Sequence, residues 1–347
     1  MKYHKLGKTG VQVPSIIFGT SCFGNLYQVL PWSTKIHILK NIFEQVDGPV
    51  VLDTAGKYGA GLALESIGKG LTELGIPRNR VMISNKLGWF RVPLETEEPT
   101  FEPGVWKNIN HDAVQKITFE GIISCFNQGL ELLDHKYETE LVSIHDPDEY
   151  LASSVNESER KKSLNNIIDA YKTLEQLKAD GKVKAIGIGA KDWKVIKEFS
   201  QLVKLDWVML AVSFTIFKHP PELLDFLDKL YQSGIFIINS AVFHAGFLTG
   251  GKYFDYRIPD PANEPDKKLF KWRSRFHKIC ARHNVKPADA CVQFGMSHPG
   301  VKSISLNTSK PERVQDNIQS VQVSISDDFW IKLKDEQLIA GDYPYLG

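Results

Sequence analysis

The sequence predicts a (β/α)8 TIM barrel, an α/β fold in which eight parallel strands close into a cylinder ringed by helices. Three observations point to it. Short apolar, β-branched runs alternate with longer amphipathic stretches along almost all of the 347 residues, and each kind numbers eight. The runs are apolar throughout rather than alternating, as strands covered on both faces are. Chemically distinctive side chains stand at or just past the ends of several runs, on the rim where such barrels collect functional groups.

In chain order, residues 1–10 read as a small hairpin closing the barrel bottom. The first strand is 13–19 (VPSIIFG), and a helix over 34–46 starts at Thr34, after Pro31-Trp32-Ser33. The second, 50–53 (VVLD), leads through a Gly-rich turn to a helix over 61–74 that stops at Gly75. The third, 81–86 (VMISNK), is followed by a long loop, 87–110, and a helix over 112–134. That loop holds Trp89, Phe90, Phe101 and Trp106 among prolines, which predicts an ordered lid. The fourth strand, 141–145 (LVSIH), precedes a helix over 160–180 ended by Gly181. The fifth, 184–189 (KAIGIG), precedes a helix over 192–203 that starts at Asp192. The sixth, 207–214, is paired with a helix over 220–233. The seventh, 235–241, opens a second long loop, 242–265, before a helix over 266–284. The eighth, 301–306, leads to a helix over 310–319 with Pro311 just inside it. No linker or shift of composition divides the chain, so residues 1–347 read as one domain.

Composition narrows the function. With 42% hydrophobic and 24% charged residues the chain is ordinary globular material. A net charge of +1, from 42 basic and 41 acidic residues, argues against a nucleic-acid stripe or a charged tail. Cys22, Cys125, Cys280 and Cys291 lie far apart without a C-x-x-C, so they read as reduced and buried, not as metal ligands. The N-terminus MKYHKLGKTG has no apolar leader, and no apolar run nears the roughly 18 residues that span a bilayer. The expectation is a soluble, cytoplasmic protein that acts on a small molecule without metal, nucleic acid or membrane.

Four residues carry the chemistry: Asp53 and Tyr58 in VVLDTAGKYG, Lys86 in VMISNK and His145 in LVSIH. Residues two apart share a face of a strand, so Lys86 lies above Ser84 and Met82, and His145 above Ser143 and Leu141. If those faces point inward, ammonium, imidazole, carboxylate and phenol meet at one rim. A free phenol titrates near pH 10, and a neighbouring Lys86 ammonium is expected to lower that value. Asp53 would hold Lys86 charged, and His145 would orient a substrate oxygen or pass it a proton. The result is an acid/base site that still needs an electron acceptor. Singly, Asp53–Lys86 reads as well as a structural ion pair, Tyr58 as a packing tyrosine and His145 as a core histidine. Their joint occurrence carries the functional reading. His244 and His298 lack a partner pattern and read as structural or surface residues. Gly59-Ala60-Gly61 mimics half of a dinucleotide fingerprint, but position 64 is leucine, and the glycines read instead as a tight turn beside Tyr58.

These residues make the chain resemble the aldo-keto reductase superfamily, through DTAGKYG, the strand-end Lys86 and the strand-end His145, with similarity running from HKLGKTGVQVP to NTSKPERVQDNIQ. The resemblance implies the (β/α)8 fold, NAD or NADP bound across the rim, hydride transfer between nicotinamide C4 and a carbonyl or carbinol carbon, and Tyr58 as general acid/base. It also implies cofactor contacts. Ser240 matches the serine that begins the pyrophosphate loop, with Gly246 and Leu248 in the same stretch, and Thr308, Arg313 and Asn317 match the adenosine end. Gly189-Ala190 stand where many members have Ser-Asn, Asn239 where an aromatic often stacks on the nicotinamide, and Asn307 where NADP-selective members often have lysine. Within the superfamily, IHDPDEYL, GIGAKDW and the long third loop look most like the D-threo-aldose or L-fucose type of aldose 1-dehydrogenase, related to pyridoxal 4-dehydrogenase. That likeness implies oxidation of a sugar hemiacetal at C1 to a lactone. The alternatives are a general aldehyde or ketone reductase and a non-catalytic dinucleotide-binding subunit.

Overall fold

A computed structural model describes residues 1–255 and 257–347; position 256, within the predicted loop 242–265, lies outside the described residues. The chain opens with a hairpin of β1 (Tyr3–Lys5) and β2 (Gln12–Pro14). β3 (Ile16–Gly19), β4 (Val50–Ala55) and β5 (Val81–Leu87) follow, then a second hairpin, β6 (Trp89–Pro93) and β7 (His111–Gln115). β8 (Thr139–His145), β9 (Ala185–Ala190), β10 (Trp207–Ala211), β11 (Phe236–Ser240) and β12 (Val301–Leu306) complete the set. β3, β4, β5 and β8 to β12 form one closed barrel, each pair parallel. The helices are α1 (Trp32–Gln45), α2 (Leu62–Glu73), α3 (Phe119–Leu132), α4 (Pro147–Ala152), α5 (Glu157–Ala179), α6 (Trp193–Leu202), α7 (Pro221–Gln232), α8 (Glu264–Arg282), α9 (Pro287–Gly295), α10 (Arg313–Ser320) and α11 (Asp327–Asp335).

The barrel interior is filled, not hollow. Leu6, Val11 and Val13 of the first hairpin pack against Ile17, Val51, Met82, Leu141, Ala185, Trp207 and Phe236, so the hairpin plugs the bottom as expected. Gly187 makes room for this packing: a Cβ there would lie 2.1 Å from the Trp207 indole. Outside, helices bury an i, i+3, i+4, i+7 stripe, for example Leu223, Phe226, Leu227 and Leu230 of α7. Each such side chain contributes about 1.5–3 kcal/mol on burial. Asp192 caps α6 by accepting from the Lys194 N–H at 2.9 Å, and Gly75 and Gly181 take the left-handed conformation that ends their helices.

Several expectations need correction. The predicted strand 13–19 is two elements, because residues 12–14 turn back to pair with β1. The predicted helix 112–134 begins only at Phe119; Thr118 caps it, accepting from the Gly121 N–H at 3.1 Å, and residues 111–115 pair with β6. The lid expected over 87–110 is ordered, but it is a hairpin arm with Phe101, Trp106, Ile109, Ala113 and Ala60 clustered beneath it. β10 ends at Ala211, where Val212 turns to φ 53°. α1 starts at Trp32, ahead of Thr34, and α10 at Arg313, two residues past Pro311. α4, α9 and α11 were not foreseen. His244 is buried between the Thr215 hydroxyl (2.9 Å) and the Asp255 carboxylate (3.0 Å), and His298 is held by Asp228 at 3.2 Å; both are structural.

Candidate active site

The inward columns run as the strand pattern required. Met82 and Leu141 lie in the packed bottom and Ser84 and Ser143 above them. Lys86 and His145 crown the columns. Register places Asp53 opposite Ser84 and Ala55 opposite Lys86, so the carboxylate reaches across one strand to the ammonium. Lys86 Nζ donates to Asp53 and, at 3.2 Å, to the Tyr58 oxygen, while Ser84 Oγ donates to the other Asp53 oxygen at 3.1 Å. The His145 ring meets the Tyr58 ring edge-on, with centroids 5.6 Å apart and planes at 85°. All four predicted residues therefore stand together at one rim.

Tyr58 is aimed by the turn that carries it. Gly59 sits at φ 62°, and a Cβ there would lie 2.3 Å from the Gly24 carbonyl oxygen. A Cβ on Gly24 would in turn lie 2.6 Å from the Tyr58 carbonyl carbon. Backbone packs on backbone, which fixes the loop and the phenol on it.

The electrostatics follow from burial and these partners. Burial works against the Lys86 charge, but the Asp53 carboxylate and the Tyr58 oxygen outweigh it and lift the lysine above its usual value. For Tyr58 the expectation fails in sign. Burial raises the phenol, Asp53 adds to the rise, and the pull of Lys86 in the other direction does not overcome them. His145 is pushed down to about 3 by burial, with the Lys86, Lys57 and Lys191 charges acting the same way against the Asp146 carboxylate. It is therefore neutral at working pH. Its Nδ1 is buried without a partner among the described residues, and its Nε2 lies 3.5 Å from Asp146.

A second group beside the four was not anticipated. Lys57, within DTAGKYG, is buried, and its ammonium meets Glu102 of the lid arm at 2.9 Å, Asp146 at 2.9 Å and Glu149 at 2.8 Å. Lys191 pairs with Glu149 at 2.5 Å. The acidic run HDPDE directly after a strand was the available signal. Its partner, a lysine ninety residues away, was not legible.

These groups open onto a groove of about 820 Å³ that crosses the rim from Tyr58, His145 and Trp106 to Arg313 and Asn317. Its floor is small: Gly19, Gly189, Ala190, Ala211, Ser240 and Ser305. Of the six residues expected at a dinucleotide, Ser240, Gly246, Thr308, Arg313 and Asn317 line the groove. Leu248 does not; its side chain is in the core and its N–H bonds to the Phe243 carbonyl. Asn239 also points away, donating to the carbonyls of Phe214 (2.8 Å) and Gly295 (2.9 Å), so nothing at that position faces a nicotinamide. At the far end Arg313 makes no ion pair among the described residues, and Asn317 keeps a buried, unpartnered Nδ2. A long slot with small residues beneath, a cation near the start of α10 and a spare amide donor fits an extended anionic nucleotide.

Comparison with known proteins agrees with this arrangement. Residues 15–336 match the Aldo/keto reductase family. A pyridoxal 4-dehydrogenase from Microbacterium luteolum is 26% identical over 96% of this chain and 97% of its own length. A D-threo-aldose 1-dehydrogenase from a Pseudomonas species is 24% identical over 95% and 96%. The holo form of an aldo-keto reductase from Bacillus halodurans superposes with a TM-score of 0.69 at 18% identity, covering 98% of this chain and 96% of that one.

Proposed function

Because the chain belongs to the aldo/keto reductase family, and is thus an NAD(P)-dependent oxidoreductase of carbonyl and carbinol groups, we propose that it oxidises the C1 carbinol of a cyclic hemiacetal, an aldose in its ring form, to a lactone. The observation that carries this is the Lys86 ammonium set between Asp53 and the Tyr58 oxygen, at 3.2 Å from the latter, beside a neutral His145. The substrates in the two relatives' names support it, since an aldose and pyridoxal both close on a hydroxyl of their own to form a hemiacetal.

In the oxidative direction the Tyr58 oxygen takes the proton of the C1 hydroxyl, and the adjacent Lys86 charge stabilises the phenolate while it lasts. Asp53 keeps Lys86 charged and aimed. His145, neutral, offers a ring N–H to the substrate oxygen and so turns the single hydrogen of C1 towards the groove. A nicotinamide held in the groove would supply the two-electron acceptor for that hydride. In the reverse direction Tyr58 returns the proton to a carbonyl oxygen.

Arg313, Asn317, Thr308, Ser240 and Gly246 are assigned to the nucleotide, with Arg313 meeting phosphate. We take residues 1–347 as one domain and place the protein in the cytoplasm, on four cysteines that are all unpaired and buried. Among the described residues no helix is long and apolar enough to cross a membrane. The test is a panel of aldoses, pyridoxal and simple aldehydes followed by nicotinamide absorbance with NAD and NADP. Lactone formation, read as a mass two hydrogens below the substrate, is expected. Turnover confined to open-chain aldehydes would overturn the assignment.

A further inference from the structure

The cluster around Lys57 is larger than stability requires. Burying a lysine ammonium is costly, and a single partner would suffice to hold it. Here three carboxylates from two distant segments converge on it: Glu102 from the lid arm, and Asp146 and Glu149 from the start of α4 after β8. Asp146 reaches it from a left-handed backbone (φ 50°), and so does Glu102 (φ 45°). The Lys57 ammonium donates hydrogen bonds to Asp146 at 2.9 Å and Glu149 at 2.8 Å, and the Glu102 carboxylate pairs with it at 2.9 Å. The carboxylates do have capacity, since each oxygen accepts more than one hydrogen bond. Asp146, Glu102 and Lys191 all line the groove beside Tyr58 and His145. Beside them stand aromatic rings: Trp106, whose indole N–H donates to Glu102 at 2.8 Å, lies 5.9 Å from the Tyr58 ring, tilted by 34°.

We infer that Asp146 and Glu102 are the specificity-determining acceptors for the hydroxyl groups of the substrate beyond its reacting carbon, and that Lys57 is the positioning residue that holds them. An edge of fixed carboxylates with an ammonium nearby suits a molecule whose several hydroxyls both donate and accept, and the aromatic wall suits its C–H face. Two ammonium groups against three carboxylates leave an excess negative charge beside the site. That excess disfavours sugar acids and sugar phosphates. The inference rests on the hemiacetal reading and adds which part of the substrate is recognised, and by what.

The experiment compares two cyclic hemiacetals oxidised by the same chemistry: an aldose taken by the wild type, and 2-hydroxytetrahydropyran, which has the ring and C1 hydroxyl but no other hydroxyl. The readout is the ratio of their kcat/KM values in wild type, Lys57→Met and Glu102→Gln, with thermal melting as a check of folding. Lys57→Met is expected to lower the aldose preference at least 30-fold, mainly through a higher aldose KM. Glu102→Gln leaves an acceptor for the Trp106 N–H and keeps the inference testable should Lys57→Met fail to fold; it is expected to lower the ratio about fivefold to tenfold. If aldose and tetrahydropyranol rates fall together at an unchanged ratio, Lys57 only ties loops, and the inference is overturned. If the wild type oxidises neither compound, the hemiacetal reading itself has failed and takes the inference with it.

Discussion

Replacing Lys86 by methionine removes the ammonium within hydrogen-bond reach of Tyr58 while keeping a chain of similar length in the barrel. At 3.2 Å and an effective dielectric near 20, one unit charge stabilises another by about 5 kcal/mol, or roughly 10³- to 10⁴-fold. The neighbouring Asp53 charge opposes part of that pull on Tyr58. The variant should therefore lose at least about 100-fold in kcat/KM for oxidation at pH 7, since less phenolate is available. Because the defect is one of proton affinity, the rate should recover partly as pH rises, and the profile should lie to the alkaline side of wild type. The single variant also leaves Asp53 buried without its cation, costing about 3–5 kcal/mol of stability. The double variant Asp53→Asn with Lys86→Met removes both charges, so it should regain much of the stability and none of the activity. Steady-state oxidation from pH 6 to 10, with urea unfolding of all three proteins, separates the two effects. A Lys86→Met enzyme with less than a tenfold loss and an unshifted profile would refute the reasoning.

Other outcomes follow from single residues. His145 is held neutral down to about 3, whereas in the unfolded chain it titrates near 6.5. Below that value the unfolded state binds the extra proton, so this group's contribution to stability falls as pH falls; relative to His145→Asn, wild type should lose about 2 kcal/mol between pH 7 and pH 5. An unchanged difference would mean that the imidazole is not desolvated. Gly187→Ala places a methyl 2.1 Å from the Trp207 ring inside the barrel and should destabilise by at least about 1–3 kcal/mol by urea unfolding. Full stability would show that Trp207 can move aside. Arg313→Ala should weaken NADP binding more than NAD binding, as read by nicotinamide fluorescence; equal losses would remove Arg313 from the 2′-phosphate.

The barrel was legible because each parallel strand is covered on both faces and reads as a closed apolar run; residues 301–306 are a strand over the predicted span. Asp53, Lys86 and His145 were legible because strand periodicity fixes which side chains share a face, although β4 runs on to Ala55 and β5 to Leu87, past the predicted ends at Asp53 and Lys86. Elements without such a signature were lost. HDAVQ carries neither glycine nor proline before Thr118, so it merged with α3. The second hairpin has its strands separated by the whole lid arm. The Lys57 cluster joins positions 57, 102, 146 and 149, and only folding brings them together. The sign of the Tyr58 shift was missed for a related reason: a neighbouring lysine can be read from sequence, but the depth at which both groups sit cannot. Leu248 and Asn239 show the same limit at short range, since Asn239 faces away from the groove that its neighbour Ser240 lines, and Leu248 enters the core two residues past Gly246.

The central claim is that the Tyr58 hydroxyl exchanges the substrate's proton at the barrel mouth, and Tyr58→Phe tests it directly because the ring and its packing remain. Turnover of the best aldose and nicotinamide nucleotide binding by fluorescence should be measured on the same sample. Turnover is expected to fall at least 10³-fold with nucleotide affinity within about twofold of wild type. A phenylalanine enzyme that works at a near-normal rate would take the proton from Tyr58 and contradict the account.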